Sequence, residues 1–153
     1  MSRHLWLGLL CLWGLQLAGG AATPEEAFVS RMREADLTGT WIPLRGDKLG
    51  AEKPDTYRVV RATRREGDRW EIVWRVSHRG QPVEMPLPCT VTFAGDVAVL
   101  ILDDLEMGEG RFYSARVMFH ENIYTGRWWS GSGDGGLLNG TVAPGTDGGG
   151  AGS

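Results

Sequence analysis

The chain predicts an all-β fold: an antiparallel, up-and-down barrel of about eight strands behind one short helix. Three observations carry this. Short runs of strand-forming residues follow one another with tight turns between them and no long crossover, so neighbouring strands run antiparallel. Two of the runs alternate. Trp70, Ile72, Trp74 and Val76 oppose Glu71, Arg75 and Ser77, and Tyr113, Ala115, Val117 and Phe119 oppose Ser114, Arg116 and His120. One apolar and one wet face is the pattern of a small barrel or sandwich. Last, Gly39-Thr40-Trp41 opens the first run, and Tyr124-Thr-Gly-Arg-Trp-Trp129 comes near the end. A glycine two residues before a tryptophan lets a backbone pass close by while the indole plugs one end of a closed sheet. A Gly-x-Trp strand placed first and an aromatic-glycine strand placed near last can pair to close a barrel; a β-sandwich is the alternative.

The elements follow in order. Residues 1–22 read as a signal peptide: Arg3 and His4 supply a positive start, Leu5 to Leu17 an apolar run, and Ala18 to Ala22 small residues for cleavage. The run is short for a bilayer span, and Cys11 inside it, preceded by Leu10, does not fit a lipoprotein acceptor. The expectation is an exported chain, periplasmic or extracellular, with no stable membrane span after cleavage between Gly20 and Thr23. Thr23-Pro-Glu-Glu26 is a capping box with proline at the first helical position. Phe28, Met32 and Ala35 then recur at helical spacing, placing a helix within residues 23–36.

A barrel domain is expected over residues 37–143. Its strands are Leu37–Ile42, Thr56–Arg65, Trp70–Ser77, Val83–Leu87, Cys89–Phe93, Val97–Leu102, Arg111–Phe119, Ile123–Trp129 and Leu137–Val142. Val97–Leu102 is apolar on both faces, so the helix is expected to cover its outer side through Phe28 and Met32. Residues 144–153 are glycine-rich, have nothing to bury, and read as a disordered tail.

Charge excludes one class of partner. The net charge is −3, moving to −4 once Arg3 is removed with the leader, and the signs are interspersed. A nucleic-acid binder would need a basic face. Cys89 is the one cysteine outside the leader, so no internal disulfide forms and packing alone holds the core.

A short helix, then Gly39-x-Trp41 on the first strand, then an up-and-down run of strands resembles the lipocalin and avidin-like group of calycin barrels. The resemblance implies an arginine packed across that first tryptophan, a role Arg116 or Arg127 would fill. The lipocalin second motif and trailing helix are missing. Leu37-Thr-Gly-Thr-Trp41 and Tyr124-Thr-Gly-Arg-Trp128 also resemble small secreted proteins of planctomycete-type bacteria, which implies no activity.

Catalytic chemistry finds little support. His78 and His120 are the histidines outside the leader, each at a strand end, and Ser77, His78 and Asp103 lack the nucleophile elbow and oxyanion glycines of a hydrolase. No His-x-His or Cys-x-x-Cys spacing suggests a metal, and no cofactor is implied. Asp103, Asp104 and Glu106 form an acidic cluster, and Ser130 to Gly136 a glycine-rich loop without a P-loop ending. The chain reads as a non-enzyme.

Binding fits better. Trp41, Trp70, Trp74, Trp128 and Trp129 crowd one modest domain, and Trp128 and Trp129 must face opposite sides of a strand. The expected ligand site is Trp74, Trp128 and Arg127, with Arg127 confined to a rim or stacked on an outer aromatic, since an unpaired buried arginine is costly. Gly39, Trp41 and Gly126 are expected to be structural. The function expected is binding of a small apolar or aromatic ligand; the alternative is a solid-core structural or interaction module of the bacterial envelope. The two differ in cavity volume, because a carrier needs roughly 300 Å³ or more.

Overall fold

The computed structural model describes residues 20–145, except residue 79 and the side chain of His78. All but the last three residues of the expected leader, and all but the first two of the expected tail, lie outside the described residues. The capping box forms as read. Thr23 Oγ1 accepts from the Glu26 N–H at 3.2 Å, and Glu26 Oε2 accepts from the Thr23 N–H at 2.9 Å. These bonds satisfy helix-end donors and start α1 (Pro24–Arg31).

Nine strands follow: β1 (Ala35–Arg45), the two-residue β2 (Lys48–Leu49), β3 (Lys53–Arg64), β4 (Arg69–His78), β5 (Gln81–Ala94), β6 (Val97–Glu106), β7 (Phe112–His120), β8 (Ile123–Ser130) and β9 (Asp134–Pro144). From β3 to β9 each pairs antiparallel with the next. β1 pairs with β3 on one side and with β9 on the other, from Ala35↔Pro144 to Arg45↔Asp134. That second pairing closes an eight-stranded barrel, the architecture of calycins, and β2 merely folds back on the end of β1. Closure leaves the sheet without a free outer edge along β1 and β9. The aromatic-glycine strand β8 stops one place short of the seam: the partner of the Gly-x-Trp strand is β9, whose Gly135, Gly136 and Gly140 let it lie close to its neighbours.

The helix plugs one end of the barrel. Phe28 and Met32 are each 1 % exposed, and the Phe28 ring meets Trp70, Phe93 and Phe119 edge-on at centroid distances of 5.6, 6.0 and 5.7 Å. Those three rings point inward. The expectation that α1 covers the outer side of Val97–Leu102 is therefore corrected. Ala98 and Leu100 face the core, while Val99 and Ile101 sit half-buried on the outside without the helix above them. A barrel end exposes a whole ring of apolar side chains, so capping it buries more apolar surface than covering one strand.

β5 corrects a second expectation. Val83–Leu87 and Cys89–Phe93 are one continuous strand of 14 residues despite Pro82, Pro86 and Pro88. From Gln81 to Cys89 it pairs with β4 alone, and pairing with β6 begins at Thr90↔Ile101. Proline is tolerated where one side of a strand has no partner to receive an N–H. β6 leaves the shared wall at the same level. Its register shifts between Leu102 and Leu105, with Asp104 at φ 46°, and from there it pairs only with β7. The wall is split between β5 and β6 over the half of the barrel away from α1.

Candidate functional site

The plug and the split leave a cavity of about 360 Å³ inside the barrel. Inward-facing residues of every long strand line it. Trp74, Tyr57 and Ile72 form one side, Trp128, Tyr124 and Leu138 another, and Met85, Leu87, Cys89, Leu102 and Met107 lie along the split. The alternation seen in the sequence accounts for this: inward residues of β4 and β7 are the apolar set, and Tyr113, Ala115 and Val117 complete the lining. The Tyr57 and Trp74 rings pack edge-on at 5.9 Å, and Tyr113 tilts against Trp128 at 6.0 Å.

Of the three expected ligand residues, Trp74 and Trp128 share this cavity and Arg127 does not. Arg127 lies outside, its guanidinium 5.6 Å from the Trp129 ring, with Arg116 at 5.4 Å from the same ring. Arg116 and Arg127 are direct cross-strand partners on the outer face, so neither reaches Trp41. The cation over Trp41 is the Lys53 ammonium, at 5.1 Å. Trp41 itself stands half-buried at the end opposite α1, its ring 6.0 Å from Trp128 and close to Gly136, where it borders a separate outer groove with Leu44, Leu49 and Lys53. The ring that plugs the closed end is Phe28.

Gly39 and Gly126 occupy tight crossings. A Cβ on Gly39 would collide with the Asn139 carbonyl, stand 2.6 Å from Gly140 Cα and 2.8 Å from the Tyr124 hydroxyl. A Cβ on Gly126 would collide with the Arg116 carbonyl and come 2.8 Å from Val117 Cα. Any side chain at either position would push strands apart.

Asp103 and Asp104, two of the three carboxylates of the acidic cluster, are engaged by neighbouring side chains. Arg116 Nη2 donates to Asp103 Oδ1 at 2.6 Å, and Asp104 exchanges bonds with the 5 %-exposed Ser114, whose hydroxyl accepts from the Asp104 N–H at 3.0 Å. Among the described residues no three His, Cys, Asp or Glu side chains gather as a metal site. His120 lies exposed beside Asp96 at 3.3 Å. The side chain of His78 lies outside the described residues. Of the stretch from Ser130 to Gly136, residues 131–133 form the turn between β8 and β9, with Gly133 at φ 87° and its N–H bonded to the Ser130 carbonyl, while Asp134, Gly135 and Gly136 already belong to β9.

A polar group inside the barrel was not expected. Asp55 sits opposite Gly39 in the β1–β3 register, and Tyr57 opposite Leu37, so both face inward. The Tyr57 hydroxyl donates to Asp55 Oδ2. Burial, then this bond and the neighbouring negative charge, hold the Tyr57 phenol well above the ordinary tyrosine range. Tyr124 shifts upward for similar reasons, burial first and then the charge of Asp55. Its hydroxyl is buried without a partner. Burial pushes the Cys89 thiol up to about 12, which leaves it protonated and unreactive at neutral pH. The expected strand began at Thr56, one residue past Asp55, which hid this group. Counting by twos backward from Tyr57 places Asp55 on the inner face.

Neither protein-family models, nor curated proteins, nor solved structures match this chain. The likeness to calycins rests on the barrel itself.

Proposed function

We propose that this protein is an exported carrier or binder of a small apolar or aromatic molecule, held between Trp74 and Trp128. The observation that supports the reading is the cavity of about 360 Å³. Pockets that hold small ligands start near 300 Å³ and are mostly apolar with a few placed polar groups. A barrel filled solid, as a purely structural envelope module would be, has no use for that volume.

Each part has a support. The split between β5 and β6 offers a route in that needs no strand to unpair, lined by Met85 and Met107, whose flexible side chains adapt to different shapes. Export rests on the sequence of residues 1–22. Arg127 is left out of the site, since it stacks on Trp129 outside the wall.

The test is ligand titration of the full-length exported protein, read by tryptophan fluorescence, with Trp74→Phe and Trp128→Phe alongside. A panel of apolar and aromatic compounds should quench the wild type and quench both variants less. Should none quench, or should binding survive both changes and vanish in Asp103→Asn, the cavity is not the site. Native mass spectrometry of protein from its own host would show a co-purified small molecule. N-terminal sequencing of exported protein should begin between residues 21 and 23; a start at Met1 would turn the leader into an anchor.

A further inference from the structure

The end of the barrel opposite α1 carries a second hollow, and the chain gives it a distinct charge. β1 runs on past Trp41, its last partner to β3, and the chain then folds back as β2. Leu44 stands opposite Leu49 there, and Arg45 opposite Lys48. The Gly50 N–H bonds to the Pro43 carbonyl at 2.7 Å, which fastens the returning segment to β1. Between this hairpin and Trp128 and Gly135 of the neighbouring strands lies the outer groove, about 550 Å³ in volume.

Its surface is mostly apolar, built from Trp41, Pro43, Leu44, Leu49 and Trp128. Leu49 is 59 % exposed, a large apolar side chain left in water at the groove wall. Trp128 lines both the groove and the cavity, whereas Trp41, its ring 6.0 Å away, lines the groove alone. The two spaces therefore meet at one indole and are otherwise walled separately. Indoles beside aliphatic side chains favour a flat apolar or aromatic body, which stacks on the one and buries area against the other.

Charge narrows the choice. The charged side chains on the groove are Arg45, Lys48, Lys53 and Asp134. Arg45 and Asp134 lie 3.9 Å apart and offset each other. That leaves Lys48 and Lys53, the two lysines of a chain whose net charge is −3. Neither joins an ion pair among the described residues. The carboxylates nearest in sequence do not line the groove. Glu52 accepts from the Thr40 hydroxyl at 2.6 Å, Asp55 accepts from the Tyr57 hydroxyl, and Asp47 sits in the exposed turn before β2. The Lys53 ammonium stands 5.1 Å over the Trp41 ring, which holds its charge at the aromatic surface. An anion arriving there meets cations with no existing ion pair to break, beside low-dielectric walls that strengthen the attraction.

We propose that this groove is a second binding site, for a small aromatic molecule carrying a carboxylate, with its ring against Trp41, Leu44 and Leu49 and its charge received by Lys48 and Lys53. The site is distinct from the cavity and does not depend on the carrier reading above. No lysine, arginine or histidine lines the cavity among the described residues, so the two spaces differ in the charge they accept. The β2 hairpin then has a role that barrel closure does not ask of it: it supplies one wall and one of the two cations.

Three probes with one naphthalene body test this by calorimetry at neutral pH: 2-naphthoate, 2-naphthalenemethanol and 2-naphthylmethylamine. They are titrated into the full chain as wild type, as Lys48→Gln/Lys53→Gln and as Trp74→Phe. Both lysines are exposed, so the double variant keeps the fold, which circular dichroism checks. In wild type 2-naphthoate should bind about tenfold tighter than the alcohol and the amine, as charge-assisted bonds imply. The double variant should lose about tenfold for 2-naphthoate and change by less than about threefold for the alcohol, while Trp74→Phe leaves 2-naphthoate within about threefold of wild type. Weaker 2-naphthoate binding at high salt should accompany this in wild type and be lost in the double variant. Should 2-naphthoate fail to bind, bind no tighter than the alcohol, or keep its affinity in the double variant, the groove is not the site. Should Trp74→Phe abolish its binding instead, the carboxylate enters the cavity, and the carrier reading stands while the second site falls.

Discussion

Gly39 lies against the Tyr124 hydroxyl, and a single methyl group at residue 39 would stand 2.8 Å from that oxygen. The same methyl would strike the Asn139 carbonyl across the seam of the barrel. One glycine therefore serves two requirements, the closure of β1 on β9 and the placement of a phenol inside.

Gly39→Ala should lower stability by about 1–3 kcal/mol, the usual cost of overpacking. Gly131→Ala is the control. It lies in open space at the β8–β9 turn, where substitution usually changes stability by about 0.5 kcal/mol or less. Urea denaturation of the pair checks this. Equal midpoints would mean that the seam yields freely at Gly39.

Phe28→Ala should cost about 3–5 kcal/mol, since it empties the plugged end where the ring meets Trp70, Phe93 and Phe119. Trp41→Ala should cost less than half of that, because Trp41 is half-buried at the open end. The sequence suggested the reverse emphasis, with Trp41 as the plug. Denaturation midpoints in the opposite order would restore it.

Stability should fall in alkali. Folding raises the Cys89 thiol from 9.0 to about 12, and it raises Tyr57 from its ordinary value of 10.0. Between the unfolded and folded values the native state holds protons that the unfolded chain has released, so stability decreases as pH rises. These groups leave the urea midpoint flat from pH 6 to about 8 and lower it from about pH 9 upward. Cys89→Ala should remove the earliest part of the decline. An unchanged profile in that variant would show that the thiol is not shielded by the fold.

How much was legible depended on how far each local pattern reached. The barrel was readable because alternation in β4 and β7 fixes which side chains face in, and the turns between runs leave no room for crossovers. The capping box at Thr23 and Glu26 was readable because it involves four consecutive residues. The place of α1 was not, since nothing in Phe28 or Met32 distinguishes an outer strand face from a barrel end. β5 looked broken because its prolines forbid only those hydrogen bonds that a missing neighbour would have taken. Trp74 was placed on the inner face by period, whereas for Trp128 the period left two choices and the cost of burying Arg127 decided between them. Asp55 escaped because the expected strand began at Thr56, just past Pro54, whereas β3 begins at Lys53.

The seam between β1 and β9 has a further consequence, for the order in which the molecule assembles. Thr38 and Thr141 meet across it although they are 103 residues apart in the chain. Hairpins such as β3–β4 and β7–β8 close short loops and can form early, whereas the seam waits for the entire chain. Until β9 emerges, β1 offers a long open edge to any neighbouring strand. Folding should therefore end, and protection from aggregation begin, with the arrival of the last strand.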